Sequence, residues 1–269
     1  MLLQRIFRLS VVAAVLTAAV TLTSAQRASA AHQSYIASIR DDSGAPKGYN
    51  HIICYNVVPE SQFAGATVQL FDQFFPGGFQ TKLAQTKIAC TPAKKVLLYR
   101  KPIKVTPNRH FVCYPINKPP TIQATKNYVN QLEKNSTTFV TPVALCVPTL
   151  KYGAPALPPH PNHLMVYDQL LQGASFANPL QPTTVTLFDQ FFPSGFTVTL
   201  GNPFALLTPT EKKLVHQKAI PVTPNGHWVE YSFTSPVKVS TSRDYTNQLE
   251  NNTVNIFFPS FLLVPTNKS

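Results

Sequence analysis

Cysteine disappears from the chain after position 146, although nearly half of the sequence follows. Acidic residues are scarce, 11 against 23 lysines and arginines, and only 13% of residues are charged. Beyond the first 20 residues no apolar segment approaches the roughly 20 that a membrane-spanning helix needs. No G-x-S-x-G, H-E-x-x-H or P-loop pattern occurs, and no carboxylates cluster as in a calcium loop. No cysteine pair has the close spacing of structural zinc. These absences set aside the common hydrolase, nucleotide and metal classes. The expectation is a non-enzymatic protein with no cofactor and no metal. Proline is abundant instead: 25 residues leave few ten-residue windows for a helix.

The first 30 residues carry Arg5 and Arg8, an apolar run from Val11 to Val20, and Ala28-Ser29-Ala30. That order reads as a signal peptide, residues 1–30, and predicts a secreted, cell-surface or extracellular protein without a transmembrane anchor after cleavage. Removing its three arginines takes the balance from 23 − 11 = +12 to 20 − 11 = +9. An N-terminal extension, 31–49, follows it.

The rest is repeated. Phe71-Asp72-Gln73-Phe74-Phe75-Pro76 returns as Phe188-Asp189-Gln190-Phe191-Phe192-Pro193, and Asn130-Gln131-Leu132-Glu133 returns as Asn247-Gln248-Leu249-Glu250. Thr106-Pro107-Asn108 and Val147-Pro148-Thr149 recur at the same offset of 117. His51 and His163 are offset by 112, so 117 − 112 = 5 residues were inserted between Tyr167 and Phe188. Loops tolerate such insertions cheaply. A shorter symmetry divides each repeat, giving four units that start His-x-x-x-Tyr and end near x-Pro-x-x-Lys. The expected division is a first domain over 50–150, a Pro-rich linker over 151–162 and a second domain over 163–269.

Short runs such as HIICYNVV, ATVQLFDQFF, KIACT, RHFVCYPI and TVNIFF are rich in β-branched and aromatic residues, with Pro, Gly or Asn commonly between them. Thr197-Val198-Thr199-Leu200 and Val237-Lys238-Val239 alternate as half-buried strands do. The predicted class is all-β: tandem, internally repeated sandwich- or barrel-like domains with Pro-rich loops. RDYTNQLENN, from 243, is the best helical candidate, as one short turn.

Cys54, Cys90, Cys113 and Cys146 all lie in the first repeat, where the second has Val166, Leu207, Glu230 and Leu263. Losing a whole set suits residues that work in pairs. Four cysteines allow three connectivities. The unit symmetry favours Cys54–Cys90 and Cys113–Cys146, each joining a unit's first strand to its last. Reduction is then expected to weaken the first domain selectively.

The elements His51-Ile52-Ile53-Cys54-Tyr55, Leu70-Phe71-Asp72-Gln73-Phe74 and Cys90-Thr91-Pro92-Ala93-Lys94 resemble a bacterial secreted repeat domain family of uncharacterised function. The resemblance spans about positions 50–269. It departs at the centre of the second unit, where Asn130-Gln131-Leu132 stands for the Asp-Gln-Phe element. It implies a modular β domain and lends no chemistry.

His51, His110, His163 and His227 recur at every unit start, which assigns them a structural role at strand edges. Asp72 and Asp189 are expected to satisfy turn amides. Phe74, Phe75, Phe191 and Phe192 are core fillers or, with Trp228, a docking surface. Lys94, Lys95, Arg100 and Lys101 concentrate positive charge. In an exported protein that patch suits an anionic surface polymer better than nucleic acid. Export, repetition and the missing catalytic set make a structural or self-assembling surface protein, a filament or matrix subunit, the leading expectation. A carbohydrate- or wall-polymer-binding module is the alternative, and a hydrolase using His and Asp the third.

Overall fold

A computed structural model describes residues 50–97, 110–151, 162–169, 182–214 and 226–268. The expected leader, the extension 31–49, nearly all of the linker, and Arg100 and Lys101 lie outside the described residues.

No helix occurs among the described residues, and thirteen strands fall into four similar sets. The first set is β1 (His51–Pro59), β2 (Ala66–Phe71), β3 (Phe79–Leu83) and β4 (Ile88–Leu97). The second is β5 (His110–Asn117), β6 (Ala124–Asn130) and β7 (Lys134–Lys151). The third is β8 (His163–Gln169), β9 (Thr183–Phe188) and β10 (Phe196–Leu214). The fourth is β11 (His227–Phe233), β12 (Thr241–Thr246) and β13 (Asn251–Lys268). In the last three sets one long strand does the work of both β3 and β4.

Those long strands contradict the expectation that proline separates strands. Pro142, Pro203 and Pro259 sit where β7, β10 and β13 slip register against their partners. Proline is tolerated at such bulges, where a ladder bond is already missing and the strand bends. Val237-Lys238-Val239 also differs from expectation: it lies outside any strand, with Val239 buried. The short turn expected near 243 is strand β12 followed by a bend.

Each unit's first strand pairs antiparallel with its own last strand and with the last strand of the unit before. The pairings run β1–β4–β5–β7–β8–β10–β11–β13 and return to β1. Neither repeat closes this circuit alone. The hairpins cross between repeats as well: β2 pairs with β10, β9 with β4, β6 with β13 and β12 with β7. The two expected side-by-side domains are therefore one body, and the described residues all fall in a single compact unit. The reason is physical: half a circuit leaves unpaired edges, and the other repeat supplies them with partners.

Closure explains the uninterrupted apolar character of HIICY and HLMVY, since both faces of these strands are buried. One face carries Ile52, Cys54, Cys113, Val166, Leu207 and Trp228, a cluster made only of circuit strands. The other carries Ile53, Tyr55, Tyr114, Tyr167 and Tyr231 beneath the hairpins. Polar alternation survives in the hairpins, where Thr184 faces Thr199 and Thr186 faces Thr197 at the surface.

Both disulfides join directly opposed residues, Cys54–Cys90 across β1 and β4 and Cys113–Cys146 across β5 and β7. The matching opposed pairs in the second repeat are Val166 with Leu207 and Glu230 with Leu263. Closing separations of 36 and 33 residues is worth about 3 to 4 kcal/mol each on chain-entropy grounds. Because the circuit is shared, reduction is expected to lower one common melting transition. Two transitions, with only one sensitive to reductant, would show instead that the repeats melt separately. Differential scanning calorimetry with and without dithiothreitol distinguishes the two outcomes.

Candidate functional site

The repeated Asp-Gln and Asn-Gln elements form the turns between hairpin strands. Asp72 Oδ1 accepts the amides of Phe74 and Phe75 at 2.9 and 3.0 Å, and Asp189 does the same for Phe191 and Phe192. The turns close on Gly78 and Gly195, whose positive φ and proximity to the Phe71 and Phe188 rings leave no room for a side chain. The expected turn role of Asp72 and Asp189 thus matches their geometry.

Each carboxylate has a second partner. Asp72 Oδ2 accepts the hydroxyl of Tyr167 at 2.6 Å and that of Thr208 at 2.9 Å, while Asp189 Oδ2 accepts the hydroxyl of Tyr55. In the other two units Asn replaces Asp, and the charge moves three residues on. Asn130 and Asn247 cap the turns, and Glu133 and Glu250 accept from Tyr231 and Tyr114 at 2.6 and 2.8 Å. Burial, reinforced by the carboxylate at Tyr55, Tyr167 and Tyr231, holds these phenols protonated far above the ordinary tyrosine range. Every bond crosses to the unit two places away. Asp189→Ala is expected to cost about 2 to 4 kcal/mol, combining a lost turn cap with an orphaned buried hydroxyl. Tyr55→Phe/Asp189→Ala should cost little more than Asp189→Ala in urea unfolding, because the two residues act as one unit.

Above each tyrosine lies a histidine that meets the glutamine of the next unit. Burial, and then the neighbouring lysine, push His51 and His163 down, His163 to about 3. Both rings are neutral at neutral pH. Gln131 faces His51 and Gln248 hydrogen-bonds His163. Both ring nitrogens of His51 are buried without a hydrogen-bond partner. His110 and His227 are half-buried, and Gln73 approaches His227 Nε2 at 3.4 Å.

Around His110 the same arrangement opens into a small cleft of about 50 Å³. Its walls include Thr149 and Lys151 at the end of β7, Gln190 and Phe191 from the turn before β10, and Arg243 on β12. Lys151 Nζ donates to Gln190 Oε1 at 2.5 Å. The Arg243 guanidinium stands 5.5 Å over the Phe191 ring and donates to Thr241 at 2.8 Å. Two cations, an imidazole and an amide thus share the lining with one acid, Asp244, and with apolar groups including Phe111, Phe191 and Ile256. At that size the cleft can seat one anionic or hydroxyl-bearing group rather than a whole ligand.

The residues singled out in sequence are divided by the fold. Phe191 lines the cleft, while Phe74 packs on Tyr167, Phe75 on Phe79 and Phe192 on Phe196 with ring centroids about 5 Å apart. Trp228 is buried at 3% exposure and donates to the Asn50 carbonyl, so it is no docking residue. Lys95 is buried among the hairpins rather than part of a solvated basic face, and Lys94 lies over Phe188. Lys151, Gln190 and Arg243 were missed as a set. All three belong to repeated positions: at the offset of 117 Arg243 matches Lys126, whose ammonium stands 5.9 Å over Phe74 as Arg243 stands over Phe191.

No protein-family model, curated protein or solved structure matches the chain, so the resemblance noted above rests on its motifs alone.

One buried acid stands apart from the cleft. Glu230, in the place of a cysteine, faces Ala205, which Asp168 also faces from the opposite strand. Burial, and then the Asp168 charge, push Glu230 up to about 8. The folded state therefore keeps a proton that the unfolded chain releases near 4.5. Stability falls as pH rises between those values, with a slope approaching about 1.4 kcal/mol per pH unit. Glu230→Gln should remove that component, so urea midpoints of the two proteins, measured from pH 5 to 8, should diverge with the variant gaining.

Proposed function

We propose that the protein is an exported, non-catalytic module of the cell surface that binds an anionic polysaccharide or wall polymer in the cleft around His110. The observation that carries this reading is the convergence of Lys151, Arg243, Gln190 and Thr149 on one open aromatic-floored cleft. Arginine stacked on an aromatic ring keeps its donors aimed outward, and lysine adds a mobile charge for a carboxylate or phosphate. Export is supported by the leader-like first 30 residues and by two disulfides, which persist in oxidising compartments.

Binding is favoured over strand-to-strand assembly because the circuit strands already have partners on both sides. The tandem domains expected from sequence offered open edges, and the shared circuit removes that argument. Turnover is disfavoured by the state of the carboxylates. Asp72 and Asp189, on which the His/Asp hydrolase reading rested, are engaged by turn amides and tyrosines, and the cleft acid Asp244 accepts the Thr253 hydroxyl.

Affinity electrophoresis in gels containing polygalacturonate or neutral dextran tests the reading. Retardation is expected only in the polyuronate, falling as salt rises. Lys151→Ala and Arg243→Ala should each weaken it several-fold without changing the melting temperature. Equal retardation by dextran, or indifference to both substitutions, would sink the anionic-ligand assignment.

A further inference from the structure

Lys212 on β10 is only 2% exposed, and its ammonium makes no hydrogen bond among the described residues. A lysine at that depth is almost always paired. β10 sets Thr210 opposite His163, and Lys212 follows two residues later on the same face. His163 is itself 1% exposed, and its Nε2 also has no hydrogen-bond partner. Gln248 hydrogen-bonds the same ring. The carboxylate on this face, Asp72, is already shared by two turn amides, Tyr167 and Thr208.

We propose that His163, Lys212 and Gln248 form a binding site for one small monovalent anion of the halide class, such as chloride. An ammonium without an acceptor is enclosed here beside a ring nitrogen that also lacks a partner. Burial alone brings Lys212 down to about 8, so it carries its charge at pH 7 and no nearby acid offsets it. A water molecule would accept one hydrogen bond but supply no charge. A halide supplies both.

The other units give the contrast. At the open cleft Lys151 donates one hydrogen bond to a glutamine oxygen, and this bond is exposed, so solvent or a ligand can meet its remaining donors. Next to Lys95, His51 repeats the buried ring with both nitrogens lacking hydrogen bonds. The anion site therefore belongs to the enclosed form of the motif, and it stands independently of the polymer reading.

Wild-type crystals soaked in sodium bromide test the assignment directly. An anomalous peak within hydrogen-bonding reach of both Lys212 Nζ and His163 Nε2 is expected, together with a melting temperature that climbs with each tenfold rise in chloride at ionic strength fixed by gluconate. Lys212→Met should abolish the chloride dependence. A water at that position without bromide, or the same melting temperature in chloride and gluconate, would overturn the site. If Lys212→Met does not fold, the two wild-type measurements decide.

Discussion

Four tyrosines tie the molecule together. Tyr55, Tyr114, Tyr167 and Tyr231 stand at the same position of four first strands and donate to carboxylates at Asp189, Glu250, Asp72 and Glu133. Each bond joins a strand to the turn of a hairpin two units away. A hairpin alone is marginal in water, and its apolar side needs another layer. Here that layer is the outer face of a closed circuit, and the tyrosine hydroxyl fixes where the hairpin lands. The carboxylate would be costly in this place if it served only one partner. By capping the turn as well, or by neighbouring an asparagine that does, it is satisfied on both sides.

Much of this was legible in sequence, at the level of elements. The four-unit symmetry, the strand content and the two crosslinks follow from spacing, and the structure places Cys54 against Cys90 and Cys113 against Cys146. The turn role of Asp72 and Asp189 followed from the chemistry of short acidic side chains before Phe-Phe-Pro-x-Gly. Closure did not follow. Nothing in HIICY states that its second edge pairs with a strand 200 residues later, because the apolar pattern of a strand buried on both faces is the same in either case. Proline misled for a related reason. Its missing donor counts against it in a regular ladder, yet the long strands hold Pro142, Pro203 and Pro259 at bulges and Pro148, Pro209 and Pro265 in unshifted register.

The candidate site shows the same limit more sharply. His110, Lys151 and Gln190 each stand on a repeated motif, so a sequence reading treats them as structural in all four copies. The fold breaks that equivalence. Two copies, around His51 and His163, are sealed beneath the hairpins, whereas the copy around His110 opens beside Arg243. Repeated chemistry thus acquires different uses from differences in burial. Where the lysine meets a glutamine and solvent, the set can address an external ligand. Where it is enclosed, its charge must be met from within.

The uneven placement of the crosslinks has an explanation in the shared circuit. If the repeats folded separately, the second would need its own compensation for four missing cysteines. A single circuit removes that need, because a crosslink in any unit restricts the unfolded form of the one body that must close. The opposed positions in the second repeat are then released from pairing chemistry. Val166 and Leu207 fill one such place with apolar volume. Opposite Leu263, Glu230 goes further and sets an ionisable group where a disulfide stands in the first repeat. A stapled half therefore tolerates an unstapled one that carries a buried acid, and the position given up by a cysteine becomes a pH-sensitive carboxyl.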